Sequence, residues 1–269
     1  RIIFKMLEKL TCRCSSVIRP DSMENLEFAL GEGLYSAQKA KVIGHGSSRG
    51  VDLTKFDIQK KQQWRQECRQ RLHISQSEIV AGFIGSLRRD KGTTELLRAW
   101  QQLTQEKSGI RLLLVGDLRF SSSIDKVAWQ WAESCGSITF VGHTTDVPPY
   151  LAAMDVFVFP SYREGMPSSV LEAQAMGLPV IGSDIPGIRE IVCADQTGIL
   201  VPVQDTSALV HAMSKLLADP ALRQRLGNCA CDSARNRFEQ KALMRLLLDD
   251  RNELALLGRE HRNIQDRDS

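Results

Sequence analysis

The sequence predicts an α/β protein built on a doubly wound, mostly parallel sheet, and three observations carry that. From Ile79 onward, short apolar runs of four to six residues alternate with amphipathic stretches, the pattern of repeated βαβ units. The runs are nearly continuous in Val, Ile, Leu and Phe, as in Val156-Phe157-Val158-Phe159, which is how strands buried on both faces read. At 269 residues, with 42 % apolar and 25 % charged residues, the chain can bury one large core or two modest ones.

Taken in order, residues 1–10 have helical spacing, with Ile3, Met6, Leu7 and Leu10 on one side. Val17-Ile18 is a short strand candidate. Asp21 or Ser22 can cap a helix over 23–34 whose stripe is Leu26, Ala29 and Leu30. Lys41-Val42-Ile43 reads as a strand running into Gly44-His45-Gly46-Ser47-Ser48-Arg49-Gly50-Val51-Asp52. Glycines after a strand suggest a dinucleotide loop, but residues 51–56 open no apolar helix, which that fingerprint requires. The stretch reads better as a crossing between domains. Residues 60–72 form a polar helix with Trp64, Cys68 and Leu72 at four-residue spacing.

Strands are then expected over 80–85, 111–115, 137–141, 156–159, 179–182 and 198–201. Helices fall between them over 93–103, 123–135, 148–153, 168–176 and 185–192. Ligands of such sheets bind at the carboxyl ends of the strands, where the strand order reverses. Residues 207–218 form an amphipathic helix, 220–226 and 229–238 continue helically, and 240–257 form a long helix with Leu243, Leu246, Leu247, Leu254 and Leu257. Residues 258–269 are charged and poor in apolar side chains, so a frayed or disordered tail is expected. Its Asp266-Arg267-Asp268 mimics a metal-binding pair but reads as solvated tail.

The chemistry concentrates after the 156–159 run. Pro167 suits the first turn of a helix, where its missing N–H goes unneeded. The helix then carries Ser169-Val170-Leu171-Glu172 and stops at Gly177. Glu164 is thus placed on a loop at the carboxyl end of a strand, and Glu172 one turn into the next helix. The helix start offers free N–H groups and partial positive charge, which suit phosphate. Ionised carboxylates beside it suit sugar hydroxyls. From spacing alone, both glutamates read equally as ordinary surface and loop residues.

Composition excludes several classes. A net charge of +3 is too small to argue for nucleic acid. The seven cysteines include only Cys12-x-Cys14 and Cys229-x-Cys231 as close pairs, with no histidine at zinc spacing, so reduced thiols and no metal are expected. No stretch approaches the roughly 20 apolar residues of a membrane span. The chain begins with Arg1, so a piece of a longer protein is expected. A nicotinamide-dependent oxidoreductase would need Gly-x-Gly-x-x-Gly after its first strand, and Gly82-Phe83-Ile84-Gly85-Ser86-Leu87 lacks it.

Glu164 to Glu172 matches the Glu-x7-Glu signature of retaining glycosyltransferases. Residues 155–167 and 172–181 around it resemble glycosyltransferase family 4, whose GT-B fold has two Rossmann-like domains with the active site between them. Gly85-Ser86-Leu87-Arg88-Arg89-Asp90-Lys91-Gly92 resembles that family's Gly-Arg-Leu-x3-Lys-Gly motif, in which Arg and Lys hold the donor's diphosphate; Lys91 matches, while Ser86 stands where the Arg is expected. The Gly-Ser-Ser-x-Gly-Val-Asp stretch resembles the interdomain linker of polysaccharide-type members, and Val141-Gly142-His143 their loop beside the nucleotide base.

The resemblance implies residues 1–40 as a remnant of the N-terminal, acceptor domain and 41–56 as the interdomain linker. Residues 57–238 become the nucleotide-sugar donor-binding domain, and 239–269 a C-terminal helix returning to the first domain with a polar tail. It implies transfer of a hexose-type sugar from a nucleotide-diphosphate sugar to a glycan or lipid-linked acceptor, with no cofactor and no required metal. Glu164 and Lys91 would be the catalytic groups. Gly165, Met166, Ser168, Ser169, Glu172, Ser86, Gly142 and His143 would bind the donor. The implied location is cytoplasmic, with peripheral contact at the inner membrane face through the first domain. The competing reading is a non-catalytic nucleotide-sugar-binding module.

Overall fold

The computed structural model describes residues 2–46, 49–119 and 121–265. Ser47-Ser48 of the linker and the Asp266-Arg267-Asp268 tail lie outside the described residues. Two helices open the chain, α1 (Ile2–Cys14) and α2 (Met23–Gly31). Ser22 caps α2, accepting the Asn25 N–H at 3.1 Å. The helix ends three residues earlier than expected, because the N–H groups of Gly33 and Leu34 turn back onto Leu30 and Ala29. Helix α1 runs past Leu10 to Cys14 and leaves Met6, Leu7 and Leu10 exposed. Val17-Ile18 and Lys41-Val42-Ile43 do not form the expected strands. Their one pairing is a bridge between Ile18 and Ala40, since no neighbouring sheet extends it.

The alternating part follows as α3 (Lys61–Arg71), β1 (Ile79–Ile84), α4 (Thr93–Glu106), β2 (Ile110–Val115), α5 (Lys126–Ser134), β3 (Ile138–Gly142), α6 (Pro148–Ala153), β4 (Val156–Phe159), α7 (Ser168–Ala175), β5 (Val180–Ser183), α8 (Pro186–Arg189) and β6 (Gly198–Val201). Three helices close the chain: α9 (Thr206–Ala218), α10 (Pro220–Phe238) and α11 (Gln240–Gln265). All six strands are parallel, in the order β3-β2-β1-β4-β5-β6. Each lies within one residue of its expected ends. Phe83, Leu112, Leu113, Leu114, Phe157 and Val158 are fully buried along the central strands. At about 1.5–3 kcal/mol for each large apolar side chain buried, the sheet is a rigid support for the loops at its ends.

Buried charge fixes α3 to the sheet. Arg69 is 0 % exposed; it donates to the carbonyls of Ala153, Ser75 and Glu78 and pairs with Asp155 at 2.8 Å. Asp155 also accepts Arg65 at 2.7 Å and the Val80 N–H at 2.7 Å, so one carboxylate ties α3 to the starts of β1 and β4.

Other boundaries depart from expectation for local reasons. Helix α5 starts at Lys126 rather than 123, because Asp125 accepts the Ala128 N–H at 2.9 Å and sets the cap. The expected helix over 185–192 shrinks to α8. Residues 220–238 form one helix through Gly227, which packs against the Gly177 carbonyl where a Cβ would lie 2.5 Å from its oxygen. Helix α11 continues to Gln265 instead of fraying at Gly258. It is held to the opening segment by Asp250, which accepts Arg19 Nε and Nη2 at 2.8 Å each, and by the Val51–Glu239 bridge. Among the described residues no helix is long and apolar enough to cross a membrane.

Candidate active site

The strand order reverses between β1 and β4, so the loops after these two strands open a crevice at their carboxyl ends. The β1 loop carries Ser86 and Lys91, and the β4 loop carries Glu164. The two loops are stitched together: the Asp90 carbonyl accepts the Tyr162 N–H at 2.9 Å. Lys91 Nζ meets Glu164 Oε1 at 2.5 Å. Ser161, fully buried, donates to the same oxygen at 2.7 Å. Glu164 is therefore held in one orientation by a cation and a hydroxyl, a charge-assisted arrangement that fixes geometry as well as charge.

Helix α7 begins beside this pair. Pro167 occupies its N-cap rather than its first turn and makes no side-chain capping bond. The N–H groups of Ser168 and Ser169 have no partner among the described residues. These free donors and the helix dipole make an anion site. Gly165 and Met166, which precede it, pack on earlier parts of the chain: a Cβ at Gly165 would lie 2.8 Å from Asp21 Oδ2, and Met166 Cε lies 3.2 Å from where a Cβ on Gly46 would stand. Gly187, at the start of α8, has its backbone against the Gly165 carbonyl, where any Cβ would overlap that oxygen. The Glu164-Gly165 loop thus rests on α8, and α8 on α2, through Arg189, which is bidentate to Glu24 at 3.0 Å in each bond.

Glu172 lies one turn into α7, with Val170, Leu171 and Ala173 buried in the core. Its carboxylate makes no hydrogen bond to the described residues. Burial raises its pKa from an ordinary 4.5 to about 7, against the opposing charges of Lys55 and Arg49. Lys55 also reaches the Thr145 carbonyl at 3.4 Å. Glu172 therefore faces both the linker and the loop after β3. Gly142 ends β3, and its carbonyl accepts the Gly116 N–H at 2.8 Å. His143 beside it is exposed, and its charge, after the hydrogen bonds from Arg119, helps hold Asp117 below the usual carboxylate range. A Cβ at Gly116 would overlap the Gly85 carbonyl, so this glycine serves the packing of the strand ends.

The structure thus brings Lys91, Glu164 and the α7 start together. Gly142 and His143 lie apart from them, separated by the width of the sheet from β4 to β3. At about 4.8 Å per strand that is roughly 14 Å, a span suited to an elongated ligand. Ser86 sits at the end of β1 with no hydrogen bond to the described residues. Sequence reasoning missed Ser161, Lys55, Asp21 and Gly187. Only the Pro160-Ser161 step beside Glu164 offered a local signal; the other three act across long sequence separations.

A family model for "Glycosyl transferases group 1" matches residues 78–219. The chain belongs to this family. Among its relatives, the capsular polysaccharide biosynthesis glycosyltransferase CapM of Staphylococcus aureus is 26 % identical over 90 % of the chain and 62 % of its own length. The UDP-Gal:alpha-D-GlcNAc-diphosphoundecaprenol alpha-1,3-galactosyltransferase of Escherichia coli is 27 % identical over 85 % of the chain and 58 % of its own length. The chain thus spans about three fifths of the length of these relatives. Sucrose-phosphate synthase from Thermosynechococcus elongatus superimposes with a TM-score of 0.80 at 26 % identity, covering 96 % of this chain and 62 % of that one. Anabaena Alr3699/HepE, solved with UDP and glucose, superimposes with a TM-score of 0.79 at 20 % identity over 92 % of this chain and 67 % of that one. The α/β, Rossmann-like GT-B expectation agrees with these likenesses.

Proposed function

We propose that this chain is the donor-binding half of a retaining glycosyltransferase. The whole protein would transfer a hexose-type sugar from a nucleotide-diphosphate sugar to a glycan or lipid-linked acceptor. The observation that carries this is the conjunction of the Lys91–Glu164 pair with the unfilled N–H groups of α7 and the unpartnered carboxylate of Glu172. In this reading, Glu172 accepts the ribose hydroxyls. The N–H groups around Gly165 to Ser169, with Lys91, hold the diphosphate, and Met166 packs beside it. Glu164, oriented by Ser161, positions the donor sugar. Ser86 borders the phosphates, while Gly142 and His143 border the base.

The chemistry follows from placement. A departing diphosphate gains negative charge, and fixed N–H dipoles and an ammonium already aimed at it need no reorganisation as that charge grows. Glu164 restricts the sugar to the reactive orientation. Residues 57–238 are the donor domain in this proposal, 1–40 belong to the acceptor domain, 41–56 link the two, and the helix after 239 returns to the first domain. The UDP and UDP-sugar of the HepE structures and the diphosphoundecaprenol acceptor in the name of the E. coli relative support a UDP-sugar donor and a lipid-linked acceptor at the cytoplasmic membrane face.

The test is transfer by the full-length protein, using labelled UDP-hexoses and a polyprenyl-diphosphate glycan as acceptor. Transfer is expected, and Glu164→Ala should reduce it by about 10²-fold or more, the scale of removing one preorganised group. Tight UDP-sugar binding with no transfer to any glycan or lipid acceptor would leave only a binding module.

A further inference from the structure

A second cleft opens at the opposite end of the sheet, where Met154-Asp155 and Pro179 lead into β4 and β5. It measures about 550 Å³ and lies between the first turns of α3 and α10 and the turn that ends α7. Its lining charges are Lys61, Arg65, Arg223 and Asp155. Asp155 is already matched by Arg65 and Arg69, and Arg65 is further spent on the carbonyls of Ala152, Ala153 and Met154. Lys61 and Arg223 also reach carbonyls, but among the described residues neither forms an ion pair.

Among the described residues the Lys61 ammonium has one hydrogen bond, to the Gly177 carbonyl at 3.4 Å, and no carboxylate in ion-pair contact. Among the described residues Arg223 uses only Nη1, on the carbonyls of Leu216 and Leu217. Burial, and then the charge of Arg65, lowers the Lys61 pKa to about 8, so the group is desolvated yet charged at neutral pH. Asp155 opposes that shift, but its carboxylate is already paired with Arg65 and Arg69; a desolvated cation with no counter-charge of its own is costly, and an anion in the cleft removes that cost. The remaining walls combine apolar surface from Leu178 and Pro179 with the side-chain amides of Gln59 and Gln62. That mixture, in a cleft of this size, suits a small molecule rather than a bare ion.

We propose that this cleft is a second ligand site for a small phosphorylated sugar or polyol, its phosphate held by Lys61 and Arg223 and its hydroxyls by the Gln59 and Gln62 amides. The site is separate from the donor crevice. It touches the carboxyl end of α7, whose amino end faces the donor, and eight residues of helix separate the two by about 12 Å.

The test is calorimetric titration of this chain with glucose 6-phosphate, inorganic phosphate and glucose, with and without saturating UDP. Glucose 6-phosphate should bind and the other two should bind more weakly. UDP and Glu172→Ala should leave its affinity unchanged. Lys61→Met and Arg223→Gln should each weaken it about tenfold, the scale of one charge-assisted hydrogen bond. Arg223→Gln sits at a half-buried helix position and serves if Lys61→Met does not fold. The proposal is overturned by the absence of glucose 6-phosphate binding, by binding that survives both substitutions, or by competition with UDP, which would put the phosphate in the donor crevice. Equal affinity for inorganic phosphate would overturn the sugar or polyol assignment. None of these outcomes bears on UDP binding itself, which is measured separately.

Discussion

Replacing Glu172 with glutamine should stabilise the fold while removing its ligand. The carboxyl is raised from 4.5 to about 7 by burial, so between those values the folded state keeps a proton that the unfolded state has lost. Stability therefore falls as pH rises across that window and is level above it. At about 1.4 kcal/mol per pH unit, the ceiling of this loss is about 3 kcal/mol. Solvent screening of a half-buried group cuts it to about 1–2 kcal/mol. Urea unfolding at pH 5 and pH 8 measures it: Glu172→Gln should match the wild type within about 0.5 kcal/mol at pH 5 and exceed it by about 1–2 kcal/mol at pH 8. Nucleotide binding should show the opposite preference. If ribose hydroxyls need the ionised carboxylate, wild-type affinity should be about tenfold weaker at pH 6 than at pH 8, and the glutamine variant should bind weakly at both. An equal stability difference at both pH values would refute the burial argument. A pH-independent wild-type affinity would refute the assignment of Glu172 to the ligand.

Other consequences are sharper but narrower. Gly187→Ala forces a Cβ onto the Gly165 carbonyl and should cost about 1–3 kcal/mol in thermal unfolding while weakening donor binding through the displaced loop. Ser161→Ala removes the hydroxyl that orients Glu164; it should cost about 1 kcal/mol and, under the proposed role of Glu164 in positioning the sugar, weaken UDP-sugar binding more than UDP binding. Asp155→Ala strips the counter-charge from the buried Arg69 and should destabilise by about 3–5 kcal/mol in urea. This chain alone should bind donor yet transfer sugar poorly, and transfer at the rate of the full-length protein would overturn the proposed domain division.

The strands were legible because burial on both faces writes itself as apolar runs, and each lies within one residue of its expected ends. The helix ends were less so. Those of α5 and α2 depend on which side chain or carbonyl captures a terminal N–H, as with Asp125 and Ala128, and many residues offer that choice. Lys41-Val42-Ile43 has strand composition, but a strand needs a neighbour, and only Ala40 finds one. Within the site, Glu164 and Glu172 were visible through their match to the Glu-x7-Glu signature of the resembling family, since spacing alone left both open to an ordinary structural reading. The Lys91–Glu164 contact spans 73 residues and exists only because β1 and β4 are adjacent. The constraint on Gly187 is the backbone of Gly165, 22 positions earlier, which no local pattern records.

The central claim is that this chain carries a nucleotide-sugar donor site built from the α7 start, Lys91 and Glu172. Calorimetric titration of the chain with UDP, GDP and ADP and their common sugar conjugates, repeated on Glu172→Ala and Lys91→Ala, tests it most directly. The account predicts selective binding of one nucleotide, with UDP expected, lost or strongly weakened in both variants. Binding that is unselective or indifferent to both substitutions, or no binding of any of the three nucleotides, would contradict it.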